Sequence, residues 1–183
     1  PWLQKRGIRA INFVIITHAH NDHYGGITGL FEALEVKCLI ASISFYKDLL
    51  DLELIEMIEK ENCLKLTLQD TLSFNLGDTQ LKFLYPPIDR AFTNINNNSL
   101  VLQLQYRDFS ALFTGDIEKE AEKYLVDKFG PRLESDFLKI PHHGSISSST
   151  IPFITNVNPE ICFIPAGKNN RFGFPDINIA KRY

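Results

Sequence analysis

The sequence predicts a mixed α/β chain, a sandwich of sheets flanked by helices, and two patterns predict it. Apolar, β-branched runs of strand length take turns with stretches that carry apolar residues at helical spacing. The strands also outnumber those of a simple doubly wound sheet, and some of them come in antiparallel-looking groups. The 183 residues fit a single domain over 1–183, and 44% hydrophobic with 22% charged residues is an ordinary folded composition. A formal net charge of −3 gives no basic field to draw in nucleic acid, which argues against a passive nucleic-acid binder. It does not argue against an enzyme whose metal ions meet the phosphates. Cys38, Cys63 and Cys162 are odd in number and far apart, so they read as reduced thiols and not as a disulfide framework or a metal site. No apolar run approaches the ~18 residues that span a bilayer.

The elements follow in order. INFVIIT (11–17) reads as a buried strand, GGITGLFEAL (25–34) as a helix behind it, and VKCLIA (36–41) as the next strand. Over 44–62, Phe45, Leu49, Leu52, Ile55 and Ile58 recur at helical spacing and predict one long amphipathic helix. LKLTL, TLSFNL and QLKFLYP (64–86) predict short strands or hairpins, closed by Pro86-Pro87. A polar loop covers 88–98, and SLVLQLQY and FSALFT (99–114) form a strand pair around Arg107-Asp108. IEKEAEKYLVDKF (117–129) is an amphipathic helix stopped by Gly130-Pro131. DFLKIP (136–141) and EICFIP (160–165) are two further strands with a short helix between them.

The chemistry is concentrated in two places. All five histidines lie in THAHNDH (17–23) and IPHHGS (140–145). His18 and His20 follow a strand, where residues two apart point the same way, so their imidazoles can meet one cation. Asp22 and His23 come after a turn that Gly25-Gly26 allows to bend sharply. ALFTGD places Asp116 just past another strand, where a carboxylate can bridge two cations; the plainer reading is an N-cap for the helix 117–129. LKIPHHGS ends a third strand in His142 and His143, one to bind metal and one to pack or touch substrate. Ligand chemistry at the ends of three strands is where α/β folds gather their sites.

THAHNDHYGG resembles the HxHxDH signature of the metallo-β-lactamase superfamily. NNNSLVLQL, LFTGDIEKEAE, LKIPHHGSISSS and GKNNRFG resemble a narrower branch, the hydrolase domain at the C-terminus of ComEC-type DNA-uptake proteins and its free-standing relatives. The resemblance implies a four-layered αββα sandwich, truncated here at the N-terminus because strands bearing a DVGQGD-like motif are missing. It implies two divalent cations, with His18 and His20 on one, Asp22, His23 and His142 on the other, and Asp116 between them. The superfamily's usual middle histidine has no counterpart, since no histidine lies between 24 and 141. Asn98 or Ser99 in the NNNS stretch stands at that point of the chain, facing metal or substrate, although an Asn-rich turn is the plainer reading. Where family members often have GHP, this chain has Gly173-Phe174-Pro175.

Nitrogen and carboxylate ligands without cysteine suit zinc or manganese, with iron less favoured. Such cations generate hydroxide near neutral pH, for attack on phosphorus or a carbonyl carbon. Asp22 is read as catalytic as well as metal-binding, and His143 as the group that protonates or orients the leaving group. Ser145, Lys168 and Arg171 are candidates for substrate contact, against the plainer readings of a helix cap and of solvated loop charge. The resemblance makes the chain a nuclease acting on single-stranded DNA, in a full-length protein embedded in a bacterial membrane. The alternatives are a hydrolase of a small ester, lactone or β-lactam, and a degenerate domain kept for interaction.

Overall fold

The computed structural model describes residues 2–68, 70–87 and 92–183. The chain divides into two compact units, Pro1–Gln69 and Asp70–Tyr183. In the expected loop over 88–98, residues 88–91 lie outside the described residues.

The first unit is a three-stranded sheet in the order β1-β2-β3, with β1 at Ala10–Ile16, β2 at Glu35–Ser42 and β3 at Leu64–Leu68. All pairs are parallel, with Phe13 opposite Cys38 and Cys38 opposite Leu64. Parallel neighbours need long crossovers, and helices supply them. α1 (Trp2–Lys5) precedes β1, while α2 (Asn21–Tyr24) and α3 (Ile27–Ala33) link β1 to β2. α4 (Ile43–Asp48) and α5 (Leu52–Lys60) link β2 to β3. LKLTL thus pairs with the central strand of this unit and takes no part in a hairpin. β2 is buried from Cys38 to Ser42, as expected of a central parallel strand covered by helices. Its Leu39 and Ala41 pack with Ile16, Ile27, Phe45, Leu54 and Ile58.

The single helix predicted over 44–62 is two helices. The Ser42 hydroxyl accepts the Phe45 N–H at 3.0 Å and starts α4. The Asp51 carboxylate accepts the Leu54 N–H at 2.9 Å and starts α5, while Leu49 is extended. An Asp that satisfies a free helix N–H competes with continuing the preceding helix, and here the cap wins. The apolar spacing across the break survives because Phe45 and Leu49 still share a core with Leu54 and Ile58.

The second unit is a six-stranded sheet in the order β4-β5-β6-β7-β8-β9. The strands are β4 Leu72–Leu76, β5 Thr79–Tyr85, β6 Val101–Tyr106, β7 Phe109–Phe113, β8 Phe137–Lys139 and β9 Ile161–Phe163. β4 to β7 run antiparallel through two-residue turns at Gly77-Asp78 and Arg107-Asp108, whose first residues sit at φ 58° and 52°. β7, β8 and β9 are parallel, joined by α6 (Lys119–Phe129) and α7 (Ile151–Val157); α8 (Ile177–Ala180) closes the chain. The core is built on Tyr85, Val101, Leu112, Ile117, Leu125, Leu138, Ile140, Phe153 and Val157.

The register of the parallel strands positions the chemistry. Phe113 pairs with Lys139 and Lys139 with Phe163, so β7, β8 and β9 end at one edge of the sheet. Asp116, His142, His143 and Pro165 follow those ends within a few residues.

Candidate functional site

In the first unit β1 delivers three imidazoles to one point. His18 is 1% exposed, and its Nε2 lies 3.1 Å from His20 Nδ1. The His23 ring centroid is 4.1 Å from that of His18, and Asp22 Oδ2 is 3.6 Å from His23 Nε2. Gly25 allows the turn that brings His23 back, since a Cβ there would meet the Asn21 carbonyl oxygen at 2.5 Å. All four residues expected from THAHNDH are therefore neighbours.

Thr17 was not singled out by sequence. Its Oγ1 lies 3.1 Å from His18 Nδ1 and 3.0 Å from His23 Nδ1. One hydroxyl joined to two Nδ1 atoms fixes both rings, the usual task of a group behind metal-binding histidines. Thr17→Val is expected to weaken metal affinity about 10- to 100-fold with little change in fold, as measured by competition with a chelating dye.

In the second unit Asp116 is 2% exposed. It is not an N-cap: α6 begins at Lys119 and Glu118 holds the cap position. Its backbone N–H donates to Ser99 Oγ at 3.0 Å, and its carboxylate faces Lys139 Nζ at 3.1 Å and His143 Nε2 at 3.0 Å. His143 Nδ1 donates to the Pro165 carbonyl at 2.7 Å. With an acceptor on each nitrogen, the Asp116 hydrogen bond first and the Pro165 carbonyl after it, His143 is pulled above its ordinary pKa. His142 turns the other way, with Nδ1 at 3.1 Å from Glu118 Oε1, and burial pushes its pKa down. His143, and not His142, is thus the histidine on the Asp116 carboxylate. Both hold left-handed backbones at φ 45° and 53°, which cost a non-glycine residue energy and splay adjacent rings apart.

Glu118 is a second residue the sequence reading missed. Its carboxylate also accepts from Asn96 Nδ2 at 3.0 Å, and its N–H donates to Asn97 Oδ1 at 2.8 Å. Among the described residues Asn96 Oδ1 is buried with no hydrogen-bond partner, an open acceptor beside this cluster. A carboxylate two residues past Asp116 was the available signal.

The remaining candidates are scattered. Asn98 is 3% exposed and folds back on Phe92, accepting its N–H at 3.1 Å and donating to its carbonyl at 3.0 Å. Ser99 is buried beneath the Asp116 backbone. Ser145 is buried and bonds Ser147 Oγ at 2.9 Å. Lys168 is exposed, and Arg171 lies over the Phe172 ring at 4.7 Å.

The donor set fits divalent cations. His18 Nε2 and His20 Nδ1 meet at hydrogen-bond distance in the first unit, and a buried carboxylate faces an imidazole in the second. No cysteine lies in either cluster.

A family model described as "Metallo-beta-lactamase superfamily" matches residues 1–42. ComE operon protein 3 of Bacillus subtilis is 33% identical over 96% of this chain and 22% of its own length. Competence protein ComA of Neisseria gonorrhoeae is 27% identical over the whole chain and 24% of its own length. The chain therefore spans about a quarter or less of these relatives. Among solved structures, the metallo-β-lactamase fold protein YhfI of Bacillus subtilis superposes with a TM-score of 0.53 at 14% identity, over 94% of this chain and 69% of that one. That likeness is one of fold.

Proposed function

We propose that this chain, which belongs to the metallo-β-lactamase superfamily, hydrolyses phosphodiester bonds of single-stranded DNA with two bound divalent cations, zinc or manganese. Membership supports metal-dependent hydrolysis as the class of chemistry. The observation that carries the reading is the convergence of His18 Nε2 and His20 Nδ1 at 3.1 Å, with Thr17 holding the His18 and His23 rings from behind. Competence relatives favour DNA as substrate. Among the described residues no helix is long and apolar enough to cross a membrane.

In this reading the imidazoles of the first unit, and the carboxylate and imidazoles of the second, are the ligands for divalent cations. When bound, those cations supply hydroxide near neutral pH and offset charge on the phosphate. The residues do the rest. Thr17 sets the tautomers of His18 and His23. Ser99 fixes the Asp116 backbone, and so the direction of its carboxylate. His143, anchored on Pro165 and with its pKa raised by the Asp116 hydrogen bond, carries a proton to the leaving oxygen, while burial favours the neutral, ligating form of His142.

The test is cleavage of single- and double-stranded DNA by the chain loaded with zinc or with manganese, against His20→Ala and Asp116→Ala. Cleavage by the loaded chain alone is expected; cleavage no greater than in the variants would overturn the reading. Turnover of an ester or β-lactam without DNA cleavage would assign the site to a small substrate.

One observation favours a second reading. Lys139 places an ammonium on Asp116, a cation built into the chain where a metal ligand is expected. A domain kept for interaction would use that ion pair to hold its shape. Metal content near zero after loading with excess zinc or manganese would establish it.

A further inference from the structure

The loop after β9 carries aromatic rings out of the second unit in a stack. Phe174 lies on His143 with ring centroids 6.2 Å apart and planes 13° apart. Phe172 lies on Phe174 at 5.5 Å and 18°, and the Arg171 guanidinium lies 4.7 Å from the Phe172 centroid. The series His143, Phe174, Phe172, Arg171 therefore leads from the histidine beside Asp116 to solvent.

The stack is held in place. Asn170 alone makes four bonds: Nδ2 donates to the Gly167 carbonyl at 2.9 Å and to the Phe174 carbonyl, while Oδ1 accepts the N–H of Phe172 at 3.1 Å and of Phe174 at 3.0 Å. The loop is also packed on the histidine turn. Gly144 sits at φ 78°, a Cβ added there would meet Pro175 Cβ at 2.7 Å, and the Asp176 N–H donates to the Gly144 carbonyl at 3.0 Å. Yet Phe172, the ring this scaffold presents, is 63% exposed. A large aromatic fixed in a stack and left in water is arranged for a ligand that has a flat face.

We propose that Phe172 is a stacking platform for one nucleobase of a single-stranded nucleic acid, with Arg171 and Lys168 meeting the phosphate beside it. Arg171 now covers the ring as an exposed cation on a flexible stem. Such a contact is weaker than base–aromatic stacking, so the base takes the ring and the guanidinium turns to the backbone. Stacking is indifferent to sequence because every base has a π-face. Phe174, at the family's usual histidine position, extends this stack inward in place of a polar group.

The inference rests on the phosphodiesterase reading for its substrate class, and the experiment is run in EDTA so that it does not depend on cleavage. Anisotropy of a labelled oligothymidylate is measured with the full chain, Phe172→Ala and Phe172→Trp, beside an abasic deoxyribose-phosphate strand of equal length. Binding about tenfold weaker for Phe172→Ala is expected, with Phe172→Trp like the wild type. The abasic strand is expected to bind wild type and Phe172→Ala alike. The proposal is overturned by wild type that does not bind, by Phe172→Ala equal to wild type, by Phe172→Trp as weak as Phe172→Ala, or by the abasic strand losing as much as oligothymidylate. Base-dependent binding in EDTA without any metal-dependent cleavage would leave the platform standing and overturn the nuclease reading alone.

Discussion

Asp116→Asn is expected to lower metal-dependent cleavage by about a thousandfold or more while the protein stays folded. The two carboxylate oxygens are separately engaged, Oδ1 with Lys139 Nζ at 3.1 Å and Oδ2 with His143 Nε2 at 3.0 Å. An asparagine has the same shape, but one of those oxygens becomes an NH2 that repels a donor and ligates no cation. The charge that raises the His143 pKa goes as well. Metal content measured on the same samples should fall with the activity. Asp116→Ala is the harsher change, because it leaves the Lys139 ammonium, 15% exposed, with its carboxylate removed. That loss costs about 3 kcal/mol of stability, read as a lower urea midpoint. If Asp116→Asn cleaves DNA within about tenfold of wild type, Asp116 is a structural anchor and its reading as a metal ligand is wrong.

Why so much of this was readable in sequence can be seen at the strand ends. β1 and β7 are mostly apolar runs, broken only by Asn12 and Ser110, followed at once by THAHNDH and TGD, so strand, turn and ligand type were all local. The placing of His142 against His143 was not local. Which ring meets Asp116 depends on two left-handed residues and on a Pro165 carbonyl from another strand end. Thr17, Glu118 and Asn170 escaped for the same reason: each acts through partners set by the fold, and the residue type alone is commonplace. The break at Asp51 escaped because periodicity reports which side is apolar, and the apolar side continues across the break. LKLTL was left open as a short strand or part of a hairpin, since its alternation carries no information about parallel or antiparallel pairing.

Glu122→Ala is expected to destabilise the second unit by about 3 kcal/mol, more than any other single carboxylate change outside the metal ligands. Glu122 is 0% exposed on α6, where an amphipathic helix would place an apolar residue. Its Oε1 accepts the Ser149 N–H, and its Oε2 accepts the Thr150 N–H at 2.8 Å. Those two N–H groups open α7 just past the segment that holds His142 and His143, and Ser149 sits at φ 62°. Alanine leaves both donors unmatched, Ser149 buried and Thr150 half-buried, which is the costly outcome. Glu122→Gln keeps the shape and one acceptor, so its loss should be about half as large. The pH dependence separates these effects. Burial outweighs the hydrogen bonds and Arg182, and raises the Glu122 pKa above the ordinary 4.5. The folded state therefore holds the proton more tightly than the unfolded chain. Stability from this group is complete below pH 4.5 and is lost as pH rises through the raised value. Glu122→Gln removes that titration, so the gap between wild type and Glu122→Gln should narrow as pH rises from 4.5. A gap that widens over that range would mean the ionised carboxylate is the better partner for Ser149 and Thr150, with burial the lesser effect.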